Sequence, residues 1–148
     1  MSWKNLLRSN SIHQHTTSRQ ELTEIRRLVA RDLTDAAIPA LSEDRRFATA
    51  YNAALQTAKM AIACAGYRVA SVPGHHRLTF QASALAVGKQ AEQLADYFDA
   101  CRRKRNEIDY TRATIATTTE ADELLAHAKA FLEMVETWIE TTHPLMKR

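Results

Sequence analysis

Four stretches of the chain repeat apolar residues at steps of three and four, the pattern of a helix with one buried face. Leu22, Ile25, Val29 and Leu33 form the first stripe. It opens at Ser18-Arg19-Gln20-Glu21, a capping-box pattern in which a hydroxyl accepts from a free N–H and a carboxylate reaches back. The expected helix runs to about Thr34, with Arg26, Arg27 and Arg31 on a solvated face and Pro39 beyond its end. Ser42-Glu43-Asp44 starts the second helix, with a capping hydroxyl and two carboxylates near the positive end of the dipole. Its stripe is Phe47, Tyr51, Leu55, Ala58, Ile62 and Ala65, and Gly66 ends it. Alanines around that stripe allow neighbouring helices to approach closely. A third helical region begins near Thr79 or Phe80, with a kink expected at Gly88, and continues through Ala91, Leu94, Phe98, Cys101, Arg105 and Ile108. The fourth starts near Thr118 or Thr119, where Thr119-x-x-Asp122 has the form of a cap. Its stripe is Leu124, Leu125, Ala128, Phe131, Leu132, Val135, Trp138 and Ile139, and Pro144 lies past its end.

These patterns predict an all-α protein, an antiparallel up-and-down four-helix bundle over residues 18–143, with no strand signal. Residues 1–17 form an N-terminal appendage in which Met1–Arg8 makes a short helix that docks through Trp3, Leu6 and Leu7. Residues 67–79 are expected to be a loop around Pro73-Gly74-His75-His76. Composition supports the helical reading, since 25 Ala against 3 Gly and 3 Pro disfavours a turn-rich β barrel. With 45% hydrophobic and 25% charged residues the chain is not a disordered one. No run approaches the ~18 apolar residues of a membrane span, and no charged-then-apolar leader opens the chain. A cytoplasmic protein without a membrane partner is the expectation.

Most chemistry-bearing residues have plain structural readings. Cys64 and Cys101 are too far apart for a metal knuckle and are expected in the core. His13 and His15 lack the further ligands that zinc requires. Glu123 and His127 are expected to be a helical surface pair, so neither a metal nor a cofactor is expected. Gly66, Gly74 and Gly88 are isolated and make no phosphate loop. His75 and His76 are read as turn fillers, with a ligand or base role as the alternative.

The exception is Arg105, which falls on the apolar stripe of the third region. A guanidinium leaves water only at a cost of several kcal/mol unless it finds partners. It lies within Arg102-Arg103-Lys104-Arg105-Asn106, the densest positive run, and Asp109 and Tyr110 follow. The plain reading is a solvated basic helix end with Arg105 paired to Asp109 four residues on. The functional reading is an anion site: arginines grip phosphates, Asn106 gives directional hydrogen bonds, and Tyr110 gives a ring or hydroxyl. The net charge of +3 permits a nucleic-acid partner without requiring one.

Taken in order over residues 20–140, these features resemble the HEPN superfamily of small helical bundles. The matching parts are the Ala-rich helix from Tyr51 to Gly66, His75 and His76, Phe80, the segment Arg102 to Tyr110, and the Thr118–Ala121 helix start. The resemblance implies RNA or nucleotide binding by a homodimer. In HEPN ribonucleases an Arg, a polar residue and a His a short way on form a composite site across the dimer. Arg105 and Asn106 match the first two, whereas Tyr110 stands where the His is expected. A phenol, with an ordinary pKa near ~10, is a poorer base at neutral pH than an imidazole. In a related HEPN pattern a partner nucleotidyltransferase adds AMP to a Tyr, which makes Tyr110 a candidate modification site and implies a toxin–antitoxin pair.

Three alternatives follow. The chain binds RNA or nucleotides through Arg102, Arg103, Lys104 and Arg105; or it is a metal-independent ribonuclease using Arg105, Asn106 and Tyr110, with His75 or His76 as other sources of proton transfer; or it is a non-catalytic scaffold for another protein.

Overall fold

The computed structural model describes residues 1–110 and 114–148. In chain order it contains α1 (Trp3–Arg8), β1 (Ile12–Gln14), α2 (Arg19–Ala36), α3 (Glu43–Ala65), β2 (Tyr67–Val69), α4 (His75–Val87), α5 (Glu92–Tyr110) and α6 (Thr118–Thr142). The protein is an all-α helical bundle, as its apolar periodicity predicts. Helix α3 is the centre, packed against α2, α4, α5 and α6. Its alanines explain this position: Ala50, Ala54, Ala58 and Ala61 are fully buried and let neighbours come close.

Aromatic rings link the helices through the core. Tyr51 of α3 meets Phe80 of α4 edge-on at 5.7 Å between centroids. Phe80 meets Phe98 of α5 at 5.4 Å, and Phe98 meets Phe131 of α6 at 5.2 Å. Such pairs add about 0.5–1.5 kcal/mol each beyond their burial.

Several expectations from the sequence are corrected. The third helical region is two helices, because Gly88 takes φ 113° and ψ −174°, outside any helical conformation. The chain breaks there, makes a single turn and starts α5 in a new direction. The 67–79 segment is only partly loop, since it contains β2 and the first turns of α4. A two-stranded antiparallel sheet exists despite the absent strand signal: Ile12 pairs with Val69, His13 with Arg68 and Gln14 with Tyr67. Strands of three residues are too short to show alternation, and their pairing is long-range. Ile12 is completely buried, and Trp3 stacks on Tyr67 at 4.6 Å.

The caps also differ in detail. Ser18 accepts from the Glu21 N–H, but the Glu21 carboxylate turns to His15 and Thr17 rather than back to the helix start. The full capping box lies at Thr117 and Glu120, not at Thr119 and Asp122. Asp44 reaches across instead, accepting from the Ile115 and Ala116 N–H groups just before α6.

Arg26 was expected in solvent. It is instead largely buried and forks onto Glu136 of α6, with Nε and Nη2 each 2.8 Å from a carboxylate oxygen. Nη2 also donates to the Met146 carbonyl oxygen at 2.8 Å. Glu136 is 2% exposed, so its charge depends on this partner. Arg26→Ala is therefore expected to cost about 3 kcal/mol in urea unfolding. The exposed neighbour variant Arg27→Ala should stay within about 0.5 kcal/mol of the parent.

Candidate nucleic-acid interface

Gly74 adopts φ 81°, a left-handed conformation that suits glycine, and turns the chain into α4 one helical turn before Thr79. His75 and His76 thus occupy the first turn of a helix rather than filling a loop. His75 Nδ1 lies 2.9 Å from the Val72 carbonyl oxygen. A carbonyl can only accept, so Nδ1 donates to it, and Nε2 has no partner among the described residues. The two imidazoles meet edge-on with centroids 4.4 Å apart.

His76 Nδ1 is 3.3 Å from the hydroxyl of Tyr51, whose side chain belongs to the core. Burial pushes the Tyr51 phenol far above its ordinary pKa, against the pull of Arg105 and Arg102, so it stays protonated. Burial lowers the His76 pKa to about 4, and the positive charges of His75, Arg105, Lys59 and Arg102 add to the shift. Residues from α3, α4 and α5 therefore act on one another at a single place.

On α5, Arg105 donates from Nη1 to Asp109, the pairing expected from their spacing. Its Nε is buried and has no hydrogen-bond partner among the described residues. Arg102 donates from Nε to Asp99 at 3.1 Å, and Arg77 of α4 approaches the other oxygen of Asp99 at 3.9 Å. Lys104 faces away from this cluster and donates to Glu120 of α6. That hydrogen bond is the main reason the Glu120 pKa lies below its ordinary value. Arg103, Asn106 and Tyr110 are exposed, Tyr110 with 90% of its surface free.

The structure thus groups Arg102 and Arg105 with His75 and His76, and sets Lys104 apart. Tyr51 and Lys59 join the group although the sequence did not single them out as functional. A tyrosine on a buried stripe needs a partner for its hydroxyl, and this was the available sign for Tyr51. Nothing in the local pattern marked Lys59.

Other chemistry is weakly provided. Burial raises the thiols of Cys64 and Cys101 to about 11 each, which keeps both as poor nucleophiles. Among the described residues no group of three or more potential metal ligands comes together. Within the same residues no helix is long and apolar enough to cross a membrane.

A family model, SAV_6107-like HEPN, matches residues 37–136, about two thirds of the chain. The chain belongs to the HEPN superfamily. The matched span contains Tyr51, Lys59, His75, His76 and all of α5, so the whole cluster lies inside the HEPN domain. The elements α1, β1 and all of α2 precede it. No curated protein and no solved structure matches the chain.

The His76 shift has a consequence for stability. The native state holds the ring neutral, whereas the unfolded chain protonates it near the ordinary ~6.5. Its contribution is complete above that pH and is lost as pH falls towards about 4, because the unfolded state then binds more protons. His76→Gln should flatten the decline of melting temperature between these values. A proton NMR titration of the parent should show the His76 ring still neutral at pH 5.5, and a ring that titrates at its ordinary pKa would refute the burial.

Proposed function

We propose that this HEPN domain binds RNA through the face formed by the first turn of α4 and the C-terminal half of α5. The observation that carries this reading is the state of Arg105. Asp109 occupies one terminal nitrogen, and the side chain, rooted among buried neighbours, still keeps 30% of its surface. A phosphate at that surface would accept from the other terminal nitrogen through a charge-assisted hydrogen bond. Arg102, fixed by Asp99, stands one turn earlier on α5, and Arg103 and Asn106 offer exposed donors beside it. Lys104 contributes least, since Glu120 already neutralises it.

The finer roles follow from the same face. A homodimer through α5 brings two such clusters together. Tyr110, exposed at the end of α5, is open to AMP transfer by a nucleotidyltransferase, which fits one half of a toxin–antitoxin pair acting on cytoplasmic RNA.

A second reading, metal-independent cleavage, is favoured by His75, whose Nδ1 is held by the Val72 carbonyl while Nε2 has no partner among the described residues. In that reaction Nε2 takes the proton of a ribose 2′-hydroxyl, and the oxygen attacks phosphorus. The bond to the 5′ oxygen breaks, that oxygen takes a proton from solvent water, and a cyclic phosphate remains. Arg105 and Arg102 would stabilise the added negative charge.

One experiment tests both. Labelled single-stranded RNA is incubated in EDTA with the parent, Arg105→Ala, Lys104→Ala and His75→Gln, and binding and cleavage are scored at several salt concentrations. Arg105→Ala is expected to weaken binding about tenfold and to reduce the salt slope by about one, with its melting temperature retained. Lys104→Ala should lose markedly less. Cleavage that disappears in His75→Gln would establish the second reading. An Arg105→Ala protein that binds RNA like the parent contradicts the proposal.

A further inference from the structure

Beside the cation cluster lies a cleft of about 230 Å³ between α2, α3, β2 and the start of α4. It shares Lys59 and His75 with the surroundings of His76. Its apolar surface comes from Ile25, Ile62, Ala63 and Val69, with the Tyr67 ring alongside, backed by Trp3. Arg68 and Ser71 lie at its edge and are exposed. The volume is below the roughly 300 Å³ at which pockets for drug-sized ligands begin. It suits a single flat ring system rather than a whole nucleotide with its phosphate.

One acidic side chain lines this otherwise basic cleft. Glu21 accepts from His15 Nε2 and from the Thr17 hydroxyl, both at 2.8 Å and both on Oε1. These bonds fix the carboxylate, and Oε2 has no partner among the described residues. Burial alone would raise the Glu21 pKa, but the His15 and Thr17 bonds outweigh it and keep the group ionised. An ionised carboxylate repels phosphate and accepts only from N–H or O–H donors.

We propose that the cleft takes one unstacked guanine base of the RNA bound along α5, with Glu21 accepting from its Watson–Crick edge. This rests on the RNA-binding reading above and adds a base preference to it. Unstacked bases held on apolar and aromatic side chains are the usual targets of sequence-specific RNA recognition. Guanine presents two adjacent N–H donors, N1–H and the N2 amino group. Adenine and cytosine place a ring nitrogen lone pair beside their amino group, and uracil flanks its N–H with two carbonyl oxygens. Each of those sets an acceptor against the carboxylate. His15, Glu21 and Ile25 all precede residue 37, so the base-reading wall is built by elements outside the matched HEPN span.

The test measures fluorescence anisotropy with hexanucleotides that are all uridine or carry one central guanosine, inosine or adenosine. The guanosine oligomer should bind about tenfold tighter than the adenosine or all-uridine ones. Inosine, which keeps N1–H but lacks the amino group, should fall between. Glu21→Gln should reduce the guanosine preference. The inosine comparison uses the parent protein and does not depend on how that variant folds. Binding of all four with equal affinity, or a preference for another base, overturns the guanine site while leaving RNA binding by α5 in place. No binding to any of them overturns both.

Discussion

The bundle depends on packing four rings from four different helices into one continuous chain. Tyr51, Phe80, Phe98 and Phe131 are each no more than 1% exposed. Together they fix α3, α4, α5 and α6 around a common centre. Removing any one ring would open a cavity and loosen the helices on either side. The first ring in the chain also has a polar end. The Tyr51 hydroxyl reaches out of the core to His76, so the same residue that packs the bundle orients the first turn of α4. The distance between the histidines and α5 is therefore set by core packing, not by the surface loop before them. A site that must hold cations close together benefits from such rigid support.

Charge is distributed with the same economy. Arg26 and Glu136 neutralise one another inside the bundle, and Asp99 takes both Arg77 and Arg102 at the α4–α5 seam. Lys104 closes α5 onto α6 through Glu120. The Arg105 side of α5 still keeps donors to spare, beside Lys59 and the histidine pair. The modest excess of +3 for the whole chain is less informative than this local surplus.

The sequence revealed the fold class and marked Arg105 as unusual, but not the surroundings of that residue. Leu22, Phe47, Phe98 and Leu124 lie in regular apolar stripes, and all are buried as those stripes require. Arg105 was visible because it interrupts such a stripe, and a buried guanidinium demands partners. The placement of His75 and His76 was hidden, since Pro73 and Gly74 before them look like a turn while Gly74 in fact starts a helix. The Arg26–Glu136 pair joins residues 110 apart, and no local pattern identifies which of the four arginines of α2 will turn inward. The β1–β2 sheet and the Glu21 carboxylate beside His15 likewise depend on contacts that form only once the chain has folded. Element types were legible from periodicity; long-range polar pairing was not.

The most direct measurement is a nitrogen-15 NMR titration with a short single-stranded RNA that follows the arginine Nε–H signals and the histidine rings. If α4 and α5 form the binding face, the Arg105 Nε–H and the rings of His75 and His76 shift together and saturate at one affinity. If RNA binds while those three signals stay in place, the face lies elsewhere on the molecule and Arg105 serves only to hold α5 in the bundle.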